Sequence, residues 1–172
     1  CIRDRYWSLA KFNMTSDGKY NSITFDCNGD SISTKRPSVN FRTYWTGNLS
    51  EELQEKGVIS QWVNKTSSCT TVTDFVSTYG CGVNLIKDTP SLQAEVLGDW
   101  REECIYYDEK TKSNLMIFST PFTSPYRVPC LMHDHIYRMS ICWQNVAYNQ
   151  PPHLGYYLRD YVKYQQSNPT GI

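Results

Sequence analysis

At 172 residues, with 17 basic against 17 acidic side chains and a pI near 7.0, the chain has the size of one domain and no net charge. Neutrality excludes the basic field that nucleic-acid and membrane-surface binders need. No apolar run approaches the roughly 18 residues of a spanning helix. Seven cysteines suit an oxidising compartment. The sequons at Asn13, Asn48 and Asn64 point the same way, to a secreted, disulfide-reinforced protein. The first residue is Cys1, not Met, which reads as the start after a removed signal peptide or a trimmed N-terminus.

Taken in chain order, Tyr6 to Phe12 and Tyr20 to Cys27 read as strands around an Asp17-Gly18 turn. Val39 to Trp45 alternates, with Val39, Phe41, Thr43 and Trp45 on one face. Ser50 to Lys56 is short and acidic and is followed by Gly57, the pattern of one or two helical turns with a glycine C-cap. Val58 to Val63 is a strand. Thr71 to Tyr79 has helical apolar spacing and a capping Gly80, yet its Thr, Val, Phe and Tyr content favours a strand. Leu92 to Trp100 is ambiguous. The clearest element is a hairpin, Cys104 to Tyr107 against Leu115 to Phe118. A proline-marked loop leads to a further strand between Cys130 and Trp143. Leu154 to Gln166 carries Tyr157, Leu158, Tyr161, Val162 and Gln165 on one helical face.

Seven or more short β segments imply a sandwich or an up-and-down barrel. The reading is a single secreted domain over 1–172, with 150–172 as a C-terminal helical appendage. Aromatic residues make up 14% of the chain, which suits a filled β core, a pocket or a protein-binding surface.

Candidate chemistry is sparse. His133 and His135 would share one face of a strand and could reach one metal, with His153 or Glu103 as a third ligand. The alternative is an exposed polar strand face, and no metal or cofactor is assigned. Cys81 between Gly80 and Gly82 fits a structural disulfide better than a catalytic thiol. Glu95, Asp99, Glu102 and Glu103 could include an inward carboxylate. No G-x-S-x-G, P-loop or G-x-G-x-x-G motif is present, so the reading is of a protein that is not an enzyme.

Tyr6-Trp7-Ser8-Leu9-Ala10-Lys11-Phe12 and Phe25-Asp26-Cys27 resemble the opening of arthropod salivary lipocalins. Cys104-Ile105-Tyr106-Tyr107, Ile117-Phe118-Ser119-Thr120 and Val128-Pro129-Cys130-Leu131 resemble the tick histamine-binding group of that family. The resemblance implies a mainly β fold, a lipocalin-like up-and-down antiparallel barrel with a C-terminal helix and short helical turns. It implies a Cys104–Cys130 disulfide and a bond from Cys27, with Cys142 the nearest candidate. Cys1, Cys69 and Cys81 have no counterpart in that pattern. Met116 stands where the amine-binding members carry an acidic residue.

The implied function is to sequester a small host mediator, a fatty acid or eicosanoid ahead of a biogenic amine, and so to modulate inflammation or haemostasis. Trp7, Phe25, Phe41, Trp45, Trp100, Tyr107 and Phe118 would line the site. Together with Ile105, most of these should point into the barrel. The alternative is a disulfide-stapled module of a parasite or viral surface protein that binds a host protein through exposed aromatics.

Overall fold

The computed structural model describes residues 6–7, 13–14, 20–21, 24–26, 28–35, 37–63, 65–84, 87–144, 146 and 149–168. The chain is mainly antiparallel β with few helices. Its first part holds β1 (Tyr6–Trp7), β2 (Asn13–Met14), β3 (Tyr20–Asn21), β4 (Thr24–Asp26) and β5 (Ser31–Ser33). They pair as β1-β4-β5 and β2-β3. Next comes a four-stranded meander of β6 (Phe41–Thr43), β7 (Glu52–Glu55), β8 (Val58–Val63) and β9 (Ser68–Asp74), in sequential order. Helix α1 (Phe75–Tyr79) leads to a second four-stranded sheet of β10 (Cys81–Gly82), β11 (Leu92–Ala94), β12 (Glu103–Asp108) and β13 (Leu115–Phe118). A 3₁₀ turn at Leu131–His133, α2 (His135–Trp143) and α3 (Leu158–Ser167) complete it.

No closed barrel is present among the described residues, because the strands divide into four separate sheets. Among the described residues the space between the sheets is filled by side chains. Phe75 packs against Trp45, Tyr106 and Phe118 with ring centroids 5.5, 5.3 and 4.7 Å apart. Ile59, Cys81 and Cys104 fill the same core. A second core gathers Tyr44, Leu49, Trp100, Leu131, Tyr137, Leu154, Leu158 and Val162. The C-terminal helix expected from periodicity is therefore present, with Leu158 and Val162 turned inward and Tyr164 exposed.

Three elements differ from expectation. Ser50 to Lys56 is not helical. Glu52 to Glu55 is a strand that buries Glu52 and Gln54 and leaves Leu53 and Glu55 half-buried. Lys56 and Gly57 both have positive φ, 52° and 73°, between the paired residues Glu55 and Val58. That is the turn whose twist matches a two-residue hairpin. Cys130 to Trp143 is helical rather than extended, because Asp134 caps α2 by accepting the Ile136 N–H at 3.1 Å. Finally, β12 buries Cys104 and Tyr106, both fully, and turns Ile105 and Tyr107 to the other face. The expected inward pair is thus reversed, since successive residues of a strand alternate.

Thr71 to Tyr79 contains both of its competing readings. The strand ends at Asp74, which accepts the Ser77 N–H at 2.9 Å and starts α1, and Gly80 caps the helix at φ 72°. Gly57 is a sensitive point beside it. A Cβ there would lie 2.5 Å from Val76 Cγ2, on a backbone at φ +73°. Gly57→Ala is expected to cost at least about 1–2 kcal/mol from the left-handed backbone alone, read as a lower urea midpoint with an unchanged slope.

Candidate functional site

The loop between β11 and β12 is held by several side-chain hydrogen bonds to its backbone. It is braced by carboxylates at both ends. Glu103 accepts the N–H groups of Val96 and Leu97 at 2.8 and 3.2 Å. Glu95 accepts from Gly98 N–H and, at 3.1 Å, from Leu131 N–H. Asp99 accepts the Arg101 N–H at 3.0 Å and pairs with its guanidinium. Inside this frame Trp100 is held at φ 68° while only 4% exposed, with its ring edge-on to Tyr44 at 6.1 Å. A bulky residue in that region costs on the order of 1–3 kcal/mol and persists only where packing over-determines it.

Glu102 ties this loop to its neighbour. Its carboxylate accepts from Tyr44 N–H at 2.9 Å, Gln93 Nε2 at 2.8 Å and Tyr137 Oη at 2.8 Å. Its own N–H donates to Tyr44 O at 3.1 Å. Tyr137 Oη in turn accepts from Glu95 N–H at 3.0 Å. Removal from water outweighs these donors and pushes the Glu102 carboxyl up to about 7. Glu52 repeats the device, accepting from Trp45 and Thr46 N–H at 2.9 and 3.1 Å and from Gln61 Nε2 at 3.2 Å. Gln144 on the α2 side acts like a strand residue against the β11 edge. Its Oε1 accepts from Gln93 N–H at 2.9 Å, and its Nε2 donates to Gln93 O.

These groups hold shape rather than meet a ligand. Glu52, Glu95, Glu102 and Glu103 are all at most 2% exposed, so a polymer in solvent cannot reach them. What they present is a hydrogen-bonded pair of loops whose tips, Asn48 on one and Val96, Leu97 and Gly98 on the other, are exposed. Of this network the sequence alone had pointed to Glu95, Asp99, Glu102 and Glu103. It missed Glu52, Gln93, Tyr137 and Gln144. A polar residue at every second position of β7, opposite Leu53, was the one available signal.

The other expected site residues do not converge. Trp45 and Phe118 belong to one core and Trp100 to the other. Phe41 is buried and Tyr107 is half-buried, with its hydroxyl donating to Val83 O at 3.2 Å. The side chains of Trp7, Phe25 and Asn13 lie outside the described residues, as do Cys1, Cys27 and Asn64. His133 and His135 are not on one strand face, since the first ends a 3₁₀ turn and the second opens α2. No group of three metal-capable side chains occurs among the described residues.

The implied Cys104–Cys130 bridge is not formed. Both are free thiols, as are Cys69, Cys81 and Cys142. Cys104 lies inside the aromatic core and accepts from Gln54 Nε2 at 3.4 Å, whereas Cys130 sits against Glu95. The disulfide expected at Cys81 is absent as well: Cys81 is buried beside Met116. Burial raises the Cys81, Cys104 and Cys130 thiols, the opposite of what a nucleophile needs. In native protein a thiol reagent should label exposed Cys69 and Cys142 promptly. It should reach Cys81 and Cys104 only on unfolding, as read by peptide mass spectrometry.

Comparison with known proteins gives a consistent result. A family model described as rhamnogalacturonan lyase family 11, C-terminal domain, matches residues 4–168. The rhamnogalacturonan endolyase YesW of Bacillus subtilis (strain 168) is 37% identical over 141 residues, covering 81% of this chain and 22% of that protein. The exolyase YesX of the same organism is 38% identical over 143 residues, covering 78% and 23%. The crystal structure of YesW superposes with a TM-score of 0.72 at 34% identity, over 90% of this chain and 26% of that one. A Bacillus licheniformis rhamnogalacturonan lyase gives 0.72 at 37% identity, over the same shares. The chain thus spans under a third of the length of these relatives.

These matches overturn the lipocalin resemblance and, with it, the mediator-binding function. The relatives are named as enzymes acting on a polysaccharide, not as non-catalytic carriers of a lipid or amine mediator. Neither a host mediator nor a host protein is the indicated partner.

Proposed function

The chain belongs to the rhamnogalacturonan lyase family 11 C-terminal domain family, and from that premise we propose that it forms part of an enzyme that cleaves rhamnogalacturonan. The observation that carries this reading is the single family match across 4–168, together with near-equal identity to an endolyase and an exolyase. The proposal is made for the reaction class those two share. The continuous match also supports treating the chain as one domain. An extracellular location is part of the same proposal, since a polymeric substrate does not cross a membrane unaided.

Within such an enzyme the chain's part is to supply rigid loops. Its buried carboxylates are spent on backbone N–H groups, and a general base must come within hydrogen-bond reach of the proton that it removes. A lyase breaks its bond by elimination, without adding water, so each cut leaves a new carbon–carbon double bond that absorbs ultraviolet light. The protein from its natural source, incubated with rhamnogalacturonan, is expected to raise ultraviolet absorbance as chains shorten. Chain shortening with no rise in absorbance would mean hydrolysis and would overturn the proposal.

A further inference from the structure

Strand β13 has an open edge. Among the described residues it pairs with β12 alone. Asp108 N–H donates to Asn114 O at 3.0 Å, and this sets the alternation along the pair. Met116 and Phe118 turn their backbone groups toward Tyr106 and Cys104. Leu115 and Ile117, opposite Tyr107 and Ile105, turn their N–H and C=O away from the sheet. The other side of β12 confirms the phase, since Ile105 O accepts from Ser91 N–H and Glu109 N–H donates to Gly80 O. The same two outward residues are 69% and 60% exposed. Leu115-Met116-Ile117-Phe118 contains no charge and no proline, two of the usual guards against strand addition.

Two features decide the occupant. The strand has no cation to offset the carboxylates of an acidic polysaccharide, and its unmet groups are peptide N–H and C=O, which another peptide strand satisfies. The relatives carry this unit as only 22% and 23% of their length. We propose that a β-strand from the remainder of a family-length polypeptide adds to the β13 edge, bonding the backbone of Leu115 and Ile117 and placing its own side chains beside theirs. This rests on the reading that the chain works as part of a longer lyase.

Amide hydrogen exchange, resolved to single residues, tests it in the isolated chain and in the protein purified from its source. The amides of Leu115 and Ile117 should exchange roughly tenfold or more slowly in the longer protein, while those of Met116 and Phe118 are protected in both. Ile117→Pro removes an outward N–H that β12 does not use, a place where an edge strand tolerates proline. In the isolated chain this variant should keep the wild-type circular dichroism. In the longer protein it should abolish protection at Leu115. Equal exchange at Leu115 and Ile117 in the two proteins overturns the proposal, as does protection of Leu115 that survives Ile117→Pro. Protection already present in the dilute isolated chain assigns the edge to the chain's own undescribed residues. Protection that grows with concentration assigns it to a second copy, and either result overturns the proposal. An intact mass equal to that of this chain alone would instead remove the embedding reading, independently of the exchange result.

Discussion

Phe75→Ala is expected to destabilise the protein by about 3–5 kcal/mol, at the upper end of that range. Phe75 is 1% exposed and touches three aromatic rings from three elements: Trp45 near the end of β6, Tyr106 in β12 and Phe118 in β13. Each such pair adds roughly 0.5–1.5 kcal/mol beyond burial, and the truncation breaks all three while leaving a cavity that flanking rings cannot close. Thr78→Ala, on the exposed side of the same helix, should change stability by less than about 0.5 kcal/mol. Urea unfolding followed by tryptophan fluorescence measures both. A loss below about 1 kcal/mol for Phe75→Ala would show that the ring does not fill the core as described.

Stability should fall as pH rises through the mildly acidic range, and Glu102 should be the main cause. Its carboxyl is raised from 4.5 to about 7 in the folded protein. Below the unfolded value both states hold the proton and pH has no effect through this group. Between the two values the folded state keeps a proton that the unfolded state has released, so each rise in pH favours unfolding. Above about 7 the effect is complete. At 1.36 kcal/mol per unit the loss is about 3 kcal/mol. Glu103 is raised for the same first reason, burial, and its slope has the same sign. Glu102→Gln removes the larger slope and leaves the smaller. Unfolding free energies measured at steps across this window should therefore decline less in the variant than in the wild type. Parallel profiles would mean that Glu102 does not titrate there.

Local patterns were legible where an element obeys its own period. The β12–β13 hairpin, the α3 face and the Gly80 cap needed only neighbouring residues. Fold identity was not legible, because apolar-polar alternation looks the same in a meander sheet and in a barrel strand. Glu52 and Gln54 hid β7 by placing polar groups on its buried side. Strand-forming residues hid α2, whose start depends on the Asp134 cap. The carboxylate network was invisible for a different reason. Tyr44 and Glu102 lie 58 positions apart, and Tyr137 and Glu102 lie 35 apart, so a donor count for Glu102 exists only once the chain has folded.

The claim that these buried carboxylates brace the loops rather than perform chemistry is tested most directly by the elimination rate of Glu102→Gln in the protein purified with its full length. Measured on rhamnogalacturonan below the variant's unfolding temperature, the rate should stay within about threefold of the wild type, because a group shielded from substrate supplies none of the 10²–10⁴-fold that a general acid or base contributes. A fall of roughly a hundredfold or more, in protein whose near-ultraviolet circular dichroism matches the wild type, would place Glu102 in the reaction and contradict the account.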